Sequence, residues 1–410
     1  MTKPETVDLS SAGLARLDHH LKTQYVDSGK LAGTLTLIAR HGEIVHTSVI
    51  GHADKERGTA MKDDTIFRIY SMTKPLTSIA FMMLVEEGLV ALDEPVHRVI
   101  PEWKNLRVFQ AGITGGFQTK PVTRPMLMID LLRHTSGLTY GFQARTNVDA
   151  AYRKLGVGVI EKRPLTLDSM IEALAGLPLE FSPGDAWNYS VSTDVLGYLV
   201  GKLSGMPFEK FLKERILDPL GMVDTDFYVP KDKAARFASC YAHNAKGEVV
   251  LQDDGQKSDY LKPPSFISGG GGLAGTAGDY MRFCQMLLNG GAYNGHRFVS
   301  PKTIELMTQN HLPGGKQLME LSRSLFSEAG NEGLGFGLGF AVVTNVAQTM
   351  TPGSVGEYFW GGAASTAFWI DPKEDLAVVF MTQFLPSSTY PVRRDLRNLV
   401  YGAFIDTKKR

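Results

Sequence analysis

Cysteine is scarce in this chain of 410 residues, which carries only Cys240 and Cys284. Two cysteines in so long a chain argue against a disulfide scaffold and are typical of a reducing compartment, so we expect a cytoplasmic protein. The two form no Cys-x-x-Cys pair, and His243, His296 and His311 stand alone without ligand spacing. The sequence therefore predicts no metal site and no cofactor.

Excess charge of either sign and long apolar runs are also missing. Lysine plus arginine number 43 and aspartate plus glutamate number 43, so no long-range attraction draws the protein to nucleic acid or to an anionic membrane. No run approaches the ~18 apolar residues of a membrane span, and residues 1–8 lack the apolar core of a signal peptide. These features exclude nucleic-acid and membrane partners and leave the oligomeric state open.

What is present is an ordinary globular composition, 43% hydrophobic, long enough for two domains or for one domain with an insertion. Near the start, leucines at helical spacing predict a helix over residues 10–25, followed by a β-hairpin over 33–50. Near the end, residues 365–382 predict a second hairpin and 392–404 a final helix. This mirrored arrangement predicts one antiparallel sheet built from both ends of the chain.

The middle of the chain is mostly helical, with helices predicted at Leu167–Ala175, 192–203 and 207–217. Residues 107–125 and 312–335 are rich in glycine and polar residues, and we predict long loops there that shape a site. The fold class expected is therefore α+β, an antiparallel sheet flanked by N- and C-terminal helices with a mostly helical inserted domain. Its expected boundaries are 1–70 plus 225–410 for the sheet domain and 71–224 for the helical domain, with the active site at their interface.

A Ser-x-x-Lys pair, Ser71 and Lys74, is the most informative local feature. Residues three apart project from the same face of a helix. Pro75 is tolerated only near a first turn, so the predicted helix starts close to Ser71, and it runs to about Glu87. A serine at a buried helix N-terminus with an amine one turn away is well placed to become a nucleophile. Taken alone, the serine could also be only an N-cap.

Two further segments carry candidate functional groups. Tyr189 precedes a predicted helix capped by Ser192, which places the tyrosine on a connecting loop, where functional groups tend to sit. Trp360, Gly361 and Gly362 lead into a predicted strand, and glycine there lets a ligand approach the backbone closely. Singly, these segments could be no more than a buried tyrosine and a strand bulge.

Together and in this order, the three segments resemble the serine hydrolases of the penicillin-binding, class C β-lactamase fold. The resemblance extends over about residues 14–404. Further matching segments outside the chemistry are 131–138, 218–222, 270–276 and 336–340. β-Lactamases carry Lys-Thr-Gly as the third motif, whereas Trp360-Gly361-Gly362 looks like that of the family VIII carboxylesterases. Val191 also stands where lactamases have an asparagine.

These two departures have a direct physical meaning. A lysine at the strand edge would attract the carboxylate of a β-lactam, and an asparagine would bond its amide. Trp360 and Val191 do neither and favour an apolar acyl or alcohol group. We therefore expect a pocket for neutral esters in which Trp360, Gly361, Gly362 and Val191 bind substrate, although Trp360 could be only a packing residue.

The resemblance implies a mechanism in which Ser71 attacks the ester carbonyl and Lys74 with Tyr189 forms the base pair. It also implies an oxyanion hole made by the backbone N–H groups of Ser71 and Ala363, and hydrolysis of the acyl-enzyme by water. Free lysine has a pKa near ~10.4 and tyrosine near ~10, so neither is a ready base at neutral pH. Burial would favour neutral Lys74, while a charged Lys74 would favour the Tyr189 phenolate, and the sequence leaves both open.

Rival chemistries find less support. An α/β-hydrolase would show Gly-x-Ser-x-Gly, and the chain has no such pentapeptide. His134 is a tempting base for a Ser-His-Asp triad, but a histidine in a turn-like stretch more often bonds backbone. The predicted function is a serine carboxylesterase acting on small-molecule short-chain or aryl esters. Alternatives are an acyltransferase, a β-lactamase or D-amino-acid peptidase, and a non-catalytic sensor, against which intact Ser71, Lys74 and Tyr189 argue.

Overall fold

The computed structural model describes residues 2–159, 165–324 and 332–407. The strands, in chain order, are β1 Gly33–Arg40, β2 Glu43–Asp54, β3 Thr59–Ala60, β4 Ile66–Arg68, β5 Arg107–Ala111, β6 Gln118–Pro121, β7 Cys240–His243, β8 Val249–Asp253, β9 Ala274–Thr276, β10 Ala292–Tyr293, β11 His296–Arg297, β12 Leu334–Phe336, β13 Ala341–Val343, β14 Tyr358–Gly361, β15 Ala367–Asp371, β16 Leu376–Met381 and β17 Phe384–Leu385. The α-helices are α1 Ser11–His20, α2 Thr73–Glu86, α3 Met128–Leu132, α4 Asn147–Leu155, α5 Leu167–Ala175, α6 Ser192–Ser204, α7 Phe208–Leu212, α8 Asp218–Leu220, α9 Ala277–Leu288, α10 Pro301–Met307, α11 Leu318–Leu321, α12 Val346–Thr349 and α13 Val392–Tyr401.

Within the described residues, eight strands form one antiparallel sheet in the order β12-β13-β14-β15-β16-β1-β2-β3. The pairing at its centre joins β1 to β16, with Leu37 opposite Val379. The predicted hairpins are the pairs β1–β2 and β15–β16. One sheet built from both ends of the chain is thus confirmed.

Side-chain alternation along β1 divides the interior into two cores. Leu35 and Leu37 point into the larger core, while Ile38 points into a smaller one shared with Leu14 of α1 and Leu396 of α13. All residues of β1 are buried, because helices cover both faces of the sheet. The predicted α+β class, a sheet flanked by N- and C-terminal helices, is confirmed.

The Ser-x-x-Lys helix begins slightly later than predicted. A 3₁₀ turn, Tyr70–Met72, comes first, and α2 follows with Glu87 as its C-cap. Pro75 lies in the first turn of α2, where its missing N–H costs no hydrogen bond. Ser71 therefore belongs to the turn that feeds the helix, and α2 itself is buried almost throughout, as expected.

Other helix ends also differ from the prediction. The helix predicted at 10–25 is α1, capped by the Ser10 side chain, continued by a π-helical turn at Leu21–Val26. The helix predicted at 207–217 is likewise α7 followed by a π-helical turn and by α8. Ser192 is not a cap: Val191 holds the N-cap position, and the Ser192 hydroxyl is instead hydrogen-bonded to those of Ser136 and Ser190.

The prediction of a long loop at 107–125 was wrong. β5 and β6 pair there as a hairpin, with the Arg107 side chain donating to the Thr119 hydroxyl. The glycines that suggested a loop form the connection between the two strands. The second predicted loop, 312–335, contains α11 and the start of β12, and its residues 325–331 lie outside the described part of the chain.

Helices α2 to α8 all lie in the chain between β4 and β7, separate from the strands of the large sheet. This order is compatible with the predicted inserted helical domain at 71–224. The exact domain boundaries stay a prediction.

Candidate active site

Ser71 lies on a tight turn between a strand and a helix. The chain leaves β4 at Arg68, turns through Tyr70–Met72 and enters α2 at Thr73. Tyr70 has a φ of 42°, a left-handed conformation that is costly for a bulky side chain. Backbone outliers of this kind cluster at functional sites. Ser71 is half-buried, so it keeps contact with solvent.

Lys74 is buried on the first turn of α2. Its Nζ lies 3.2 Å from the Ser71 Oγ and donates to the Gly270 carbonyl oxygen at 2.7 Å. Burial lowers the pKa of Lys74 to about 7, with the Asp194 carboxylate acting in the opposite direction. A large share of Lys74 is therefore neutral near pH 7 and able to accept a proton.

Tyr189 approaches the same hydroxyl from the loop before α6. Its Oη donates to the Ser71 Oγ at 2.6 Å, and its ring centroid lies 4.4 Å from the Lys74 Nζ. The Gln143 side chain holds the Tyr189 carbonyl at 2.6 Å. Burial raises the pKa of the Tyr189 phenol, although hydrogen bonds with Ser71 and Trp360 oppose this shift. Tyr189 is thus a protonated phenol at neutral pH.

Polar groups around Gly270 fix the carbonyl to which Lys74 donates. Asp194 of α6 accepts hydrogen bonds from the Ser268 hydroxyl at 2.6 Å and from the Gly270 N–H at 3.0 Å. Gly270 is therefore held at its N–H by Asp194 and at its carbonyl by Lys74. The Tyr140 ring centroid lies 5.4 Å from the Lys74 Nζ. Sequence reasoning missed these residues; the glycine run that contains Gly270 was the available signal.

Trp360 packs directly beside the tyrosine. It is buried in β14, with ring centroids 5.6 Å from Tyr189 and 5.4 Å from Phe336. Gly362, just beyond this strand, packs against the chain that leads to the serine, since a Cβ there would lie 2.5 Å from the Ile69 carbonyl oxygen. Glycine at position 362 is therefore explained by packing, because two backbone segments approach each other closely there.

Gly361 makes room for an arginine that the sequence reasoning did not single out. A Cβ on Gly361 would collide with the guanidinium of Arg393, which reaches in from α13. The Arg393 Nη2 donates to the carbonyl oxygens of Gly362 and Thr366, at 2.8 Å each. The amphipathic pattern of α13 gave no signal that one of its polar residues turns inward.

Ala363 follows in the turn between β14 and β15, where the Gly362 N–H donates to the Thr366 carbonyl at 3.0 Å. Among the hydrogen bonds of residues 2–159, 165–324 and 332–407, neither the Ser71 amide nor the Ala363 amide has an acceptor. Both N–H groups are therefore available to a ligand oxygen.

Val191 is fully buried at the start of α6. A Cβ built on Gly158 would lie 3.0 Å from the Cγ1 of Val191 and 2.8 Å from the Tyr140 ring. Val191 thus packs within the aromatic and aliphatic wall near the site and adds no polar atom to it.

His134 is not placed as a base. It is buried with a φ of 57°, its Nδ1 lies 3.3 Å from the Ser190 hydroxyl, and its ring packs 5.1 Å from that of Tyr189. Burial lowers the pKa of His134 well below its usual value, so the ring is neutral. The sequence favoured a bond from this ring to the backbone, whereas in the structure its partner is the Ser190 hydroxyl.

The described residues contain neither a metal-binding cluster nor a membrane-crossing helix. No group of three or more histidine, cysteine, aspartate or glutamate side chains in these ranges is arranged to hold a metal ion. No helix in the same ranges has both the length and the apolar character that crossing a membrane requires.

Comparison with known proteins identifies the family. A protein-family model described as Beta-lactamase matches residues 20–402. The chain belongs to the beta-lactamase family. Protein Rv1367c of Mycobacterium tuberculosis is 38% identical over 363 residues, covering 88% of each chain. Esterase EstB of Burkholderia gladioli is 31% identical over 417 residues, covering 97% of this chain and 98% of EstB.

Among solved structures, EstCE1, "a hydrolase with promiscuous acyltransferase activity", superposes with a TM-score of 0.79 at 28% identity. The match covers 95% of this chain and 99% of that one. These findings confirm the predicted beta-lactamase-like fold and the predicted likeness to esterases within this family.

Proposed function

We propose that this protein is a serine carboxylesterase that hydrolyses small, uncharged esters through an acyl-enzyme on Ser71. The observation that carries the proposal is the convergence of two proton-transfer groups on one hydroxyl. The Lys74 Nζ lies 3.2 Å and the Tyr189 Oη 2.6 Å from the Ser71 Oγ. The likeness to Esterase EstB and EstCE1 supports an ester as the substrate.

Lys74 is the better base of the two. Its pKa of about 7 leaves it partly neutral, whereas burial keeps Tyr189 protonated. Lys74 takes the hydroxyl proton as the Ser71 Oγ bonds to the ester carbonyl carbon. Tyr189 donates its proton to the departing alkoxide and is reprotonated by the Lys74 ammonium. A water molecule then attacks the acyl-enzyme by the same route and releases the acid.

The oxyanion of each tetrahedral intermediate is bound by the backbone N–H groups of Ser71 and Ala363. Both amides lack an acceptor among the described residues, as the role requires. A donor in such a hole contributes ~3 to 4 kcal/mol to transition-state stabilisation.

The proposed substrate preference follows from the groups beside the nucleophile. The rings of Trp360 and Phe336 pack against each other next to Tyr189, and the side chain of Val191 has no hydrogen-bonding atom. No lysine stands in the third motif to pair with a substrate carboxylate. Neutral acyl and alcohol groups are therefore favoured over charged β-lactams.

We also propose a cytoplasmic location and a small-molecule ligand. Cys240 and Cys284 are unpaired and buried, which fits a reducing cytoplasm. The balanced charge gives no basis for a nucleic-acid partner.

The test measures hydrolysis rates of the parent, Ser71→Ala and Ser78→Ala. The substrates are p-nitrophenyl acetate, butyrate and longer esters, and a chromogenic cephalosporin. Ser78 lies on the same helix and serves as the matched control. We expect ester hydrolysis by the parent and Ser78→Ala and none above background by Ser71→Ala. The intact mass of the parent should rise by one acyl group after brief exposure to an activated ester. Fast turnover of the cephalosporin without ester hydrolysis would overturn the proposal.

Acyl transfer to an alcohol is the second candidate, because EstCE1 combines hydrolase and acyltransferase activities. The same acyl-enzyme serves both reactions, and exclusion of water from the aromatic surroundings of Tyr189 would favour transfer. Adding a primary alcohol to the ester assay and quantifying the new ester against free acid separates the two. Predominant ester product at low alcohol concentration would favour the transferase.

A further inference from the structure

Arg393 of α13 is built into the end of the third motif. Its Nη2 donates to the carbonyl oxygens of Gly362 and Thr366, which flank the turn between β14 and β15. Gly361 leaves the space that the guanidinium occupies, since a Cβ there would collide with it. The strand and the helix residue are therefore fitted to each other.

The first of these hydrogen bonds controls the orientation of one amide. The Gly362 carbonyl and the Ala363 N–H belong to the same planar trans peptide group and point in opposite directions. Fixing the carbonyl toward Arg393 consequently fixes the N–H on the other side. Gly362 packs against the Ile69 carbonyl, two residues before Ser71, so this peptide group lies close to the segment that carries the nucleophile.

The guanidinium also places a positive charge next to this peptide group. Burial lowers the pKa of Arg393 to about 10, which leaves it a cation at neutral pH, and Tyr189 lies close enough to raise that pKa. A cation bonded to a carbonyl polarises the peptide group and strengthens the N–H as a donor.

We infer that Arg393 is a positioning residue of the oxyanion hole, which holds and polarises the Gly362–Ala363 peptide so that the Ala363 N–H receives the developing oxyanion. The inference rests on the proposed esterase function. Arg393 acts through the peptide group rather than on the substrate, so its loss should weaken transition-state binding more than substrate binding.

The test compares the parent, Arg393→Met, Arg393→Lys and Arg394→Met. Arg394 is the exposed neighbour on α13 and controls for the loss of one positive charge. The measurements are kcat and KM for p-nitrophenyl butyrate and the inhibition constant of phenylboronic acid, whose tetrahedral serine adduct places an oxygen in the hole. For Arg393→Met we expect kcat to fall roughly 10- to 100-fold with KM little changed, and boronate affinity to fall by a similar factor. Arg394→Met should match the parent.

Arg393→Lys keeps the charge and N–H donors on a shorter, differently shaped head group, so its kcat and boronate affinity should lie between those of the parent and Arg393→Met. If circular dichroism shows that Arg393→Met does not fold, Arg393→Lys decides: a proportional loss of kcat and boronate affinity supports the role, and parental values overturn it. Parental values in folded Arg393→Met overturn it as well, and leave the esterase proposal intact provided Ser71→Ala is inactive. A parent that hydrolyses no ester overturns both.

Discussion

At the scale of single residues, the proposed chemistry depends on the protonation state of Lys74. Its pKa of about 7 lies below the ordinary lysine value because the amine is buried. Only the neutral amine can take the Ser71 proton, so activity should be lost as pH falls through this value. We expect kcat/KM to drop roughly tenfold per pH unit below about 7 and to level off above it, in a pH–rate profile with p-nitrophenyl butyrate.

A substitution at Asp194 tests whether the acidic limb of this pH–rate profile belongs to Lys74. Its carboxylate favours the charged ammonium, so Asp194→Asn should move the acidic limb to lower pH, while asparagine can still accept from the Gly270 N–H. A parental limb near pH 4 would show that Lys74 is not the group whose titration is observed, and a limb near pH 10 would contradict the lowered pKa of Lys74.

Tyr189 should act in proton transfer rather than in holding the fold. Tyr189→Phe keeps the ring that packs against Trp187 and Trp360 but removes the hydroxyl that bonds Ser71. We expect kcat to fall roughly 10²- to 10⁴-fold with little change in melting temperature. Tyr198→Phe on α6 is the control, and retained activity in Tyr189→Phe would remove the phenol from the mechanism.

The residues that could be predicted from the sequence are those with a distinctive local pattern. Ser71 and Lys74 are one helical turn apart, and Tyr189 lies in a short motif, so their convergence could be proposed before any coordinates. Asp194 and Arg393 could not, because each sits in an amphipathic helix whose polar residues normally face solvent. Which polar residue turns inward depends on tertiary packing.

At the scale of elements, the end of β14 must approach the turn that carries Ser71. Gly362 permits this approach, since a Cβ would lie 2.5 Å from the Ile69 carbonyl oxygen. Gly362→Ala should push the strand end away and displace the Ala363 amide. We expect kcat/KM to fall on the order of 100-fold, as misplacement by about 1 Å can cause.

Gly116→Ala is a suitable control for this substitution, because a Cβ at Gly116 would meet open space. Both variants should give circular dichroism spectra like that of the parent. Parental kcat/KM in folded Gly362→Ala would show that the close approach is not needed for catalysis.

Most elements could be predicted, and their errors have physical causes. The periodic segments gave α5 and α6 to within one residue, and they gave the β1–β2 hairpin, although β2 ends at Asp54 and not at the predicted residue 50. Residues 107–125 were mistaken for a loop because the glycine-rich connection hid two short strands, β5 and β6, from a pattern search. The π-helical extensions of α1 and α7 could not be read from spacing, since they change hydrogen bonding without changing composition.

At the scale of the whole molecule, Arg40 ties distant segments together. Fully buried at the end of β1, it donates to the carbonyls of Val7 and Asp8 and to the Glu374 carboxylate. Arg40→Met would remove this donor from the Val7 carbonyl and the Glu374 carboxylate, which are buried, while the Asp8 carbonyl keeps the Ile405 N–H. We expect the free energy of unfolding to fall by about 3 to 5 kcal/mol, measured by urea denaturation.

Lys302→Met is the comparison, since Lys302 forms an exposed pair with Glu305 on α10 and such pairs contribute little. A decrease of similar size in both variants would show that the loss of a positive charge, and not the buried network, accounts for the effect.

The pairing of β1 with β16 has a consequence for biosynthesis. During translation β1 emerges long before its central neighbour β16, which is made only after the helical region and most other strands, so the sheet cannot close until β16 has been made. Until then the β1 edge is an open template for wrong partners. The hydrogen bond from the Ile405 N–H to the Asp8 carbonyl shows that the two outer segments end side by side. A circular permutant with a short linker there, cut in an exposed helical-region loop, would have both strands made in one continuous stretch.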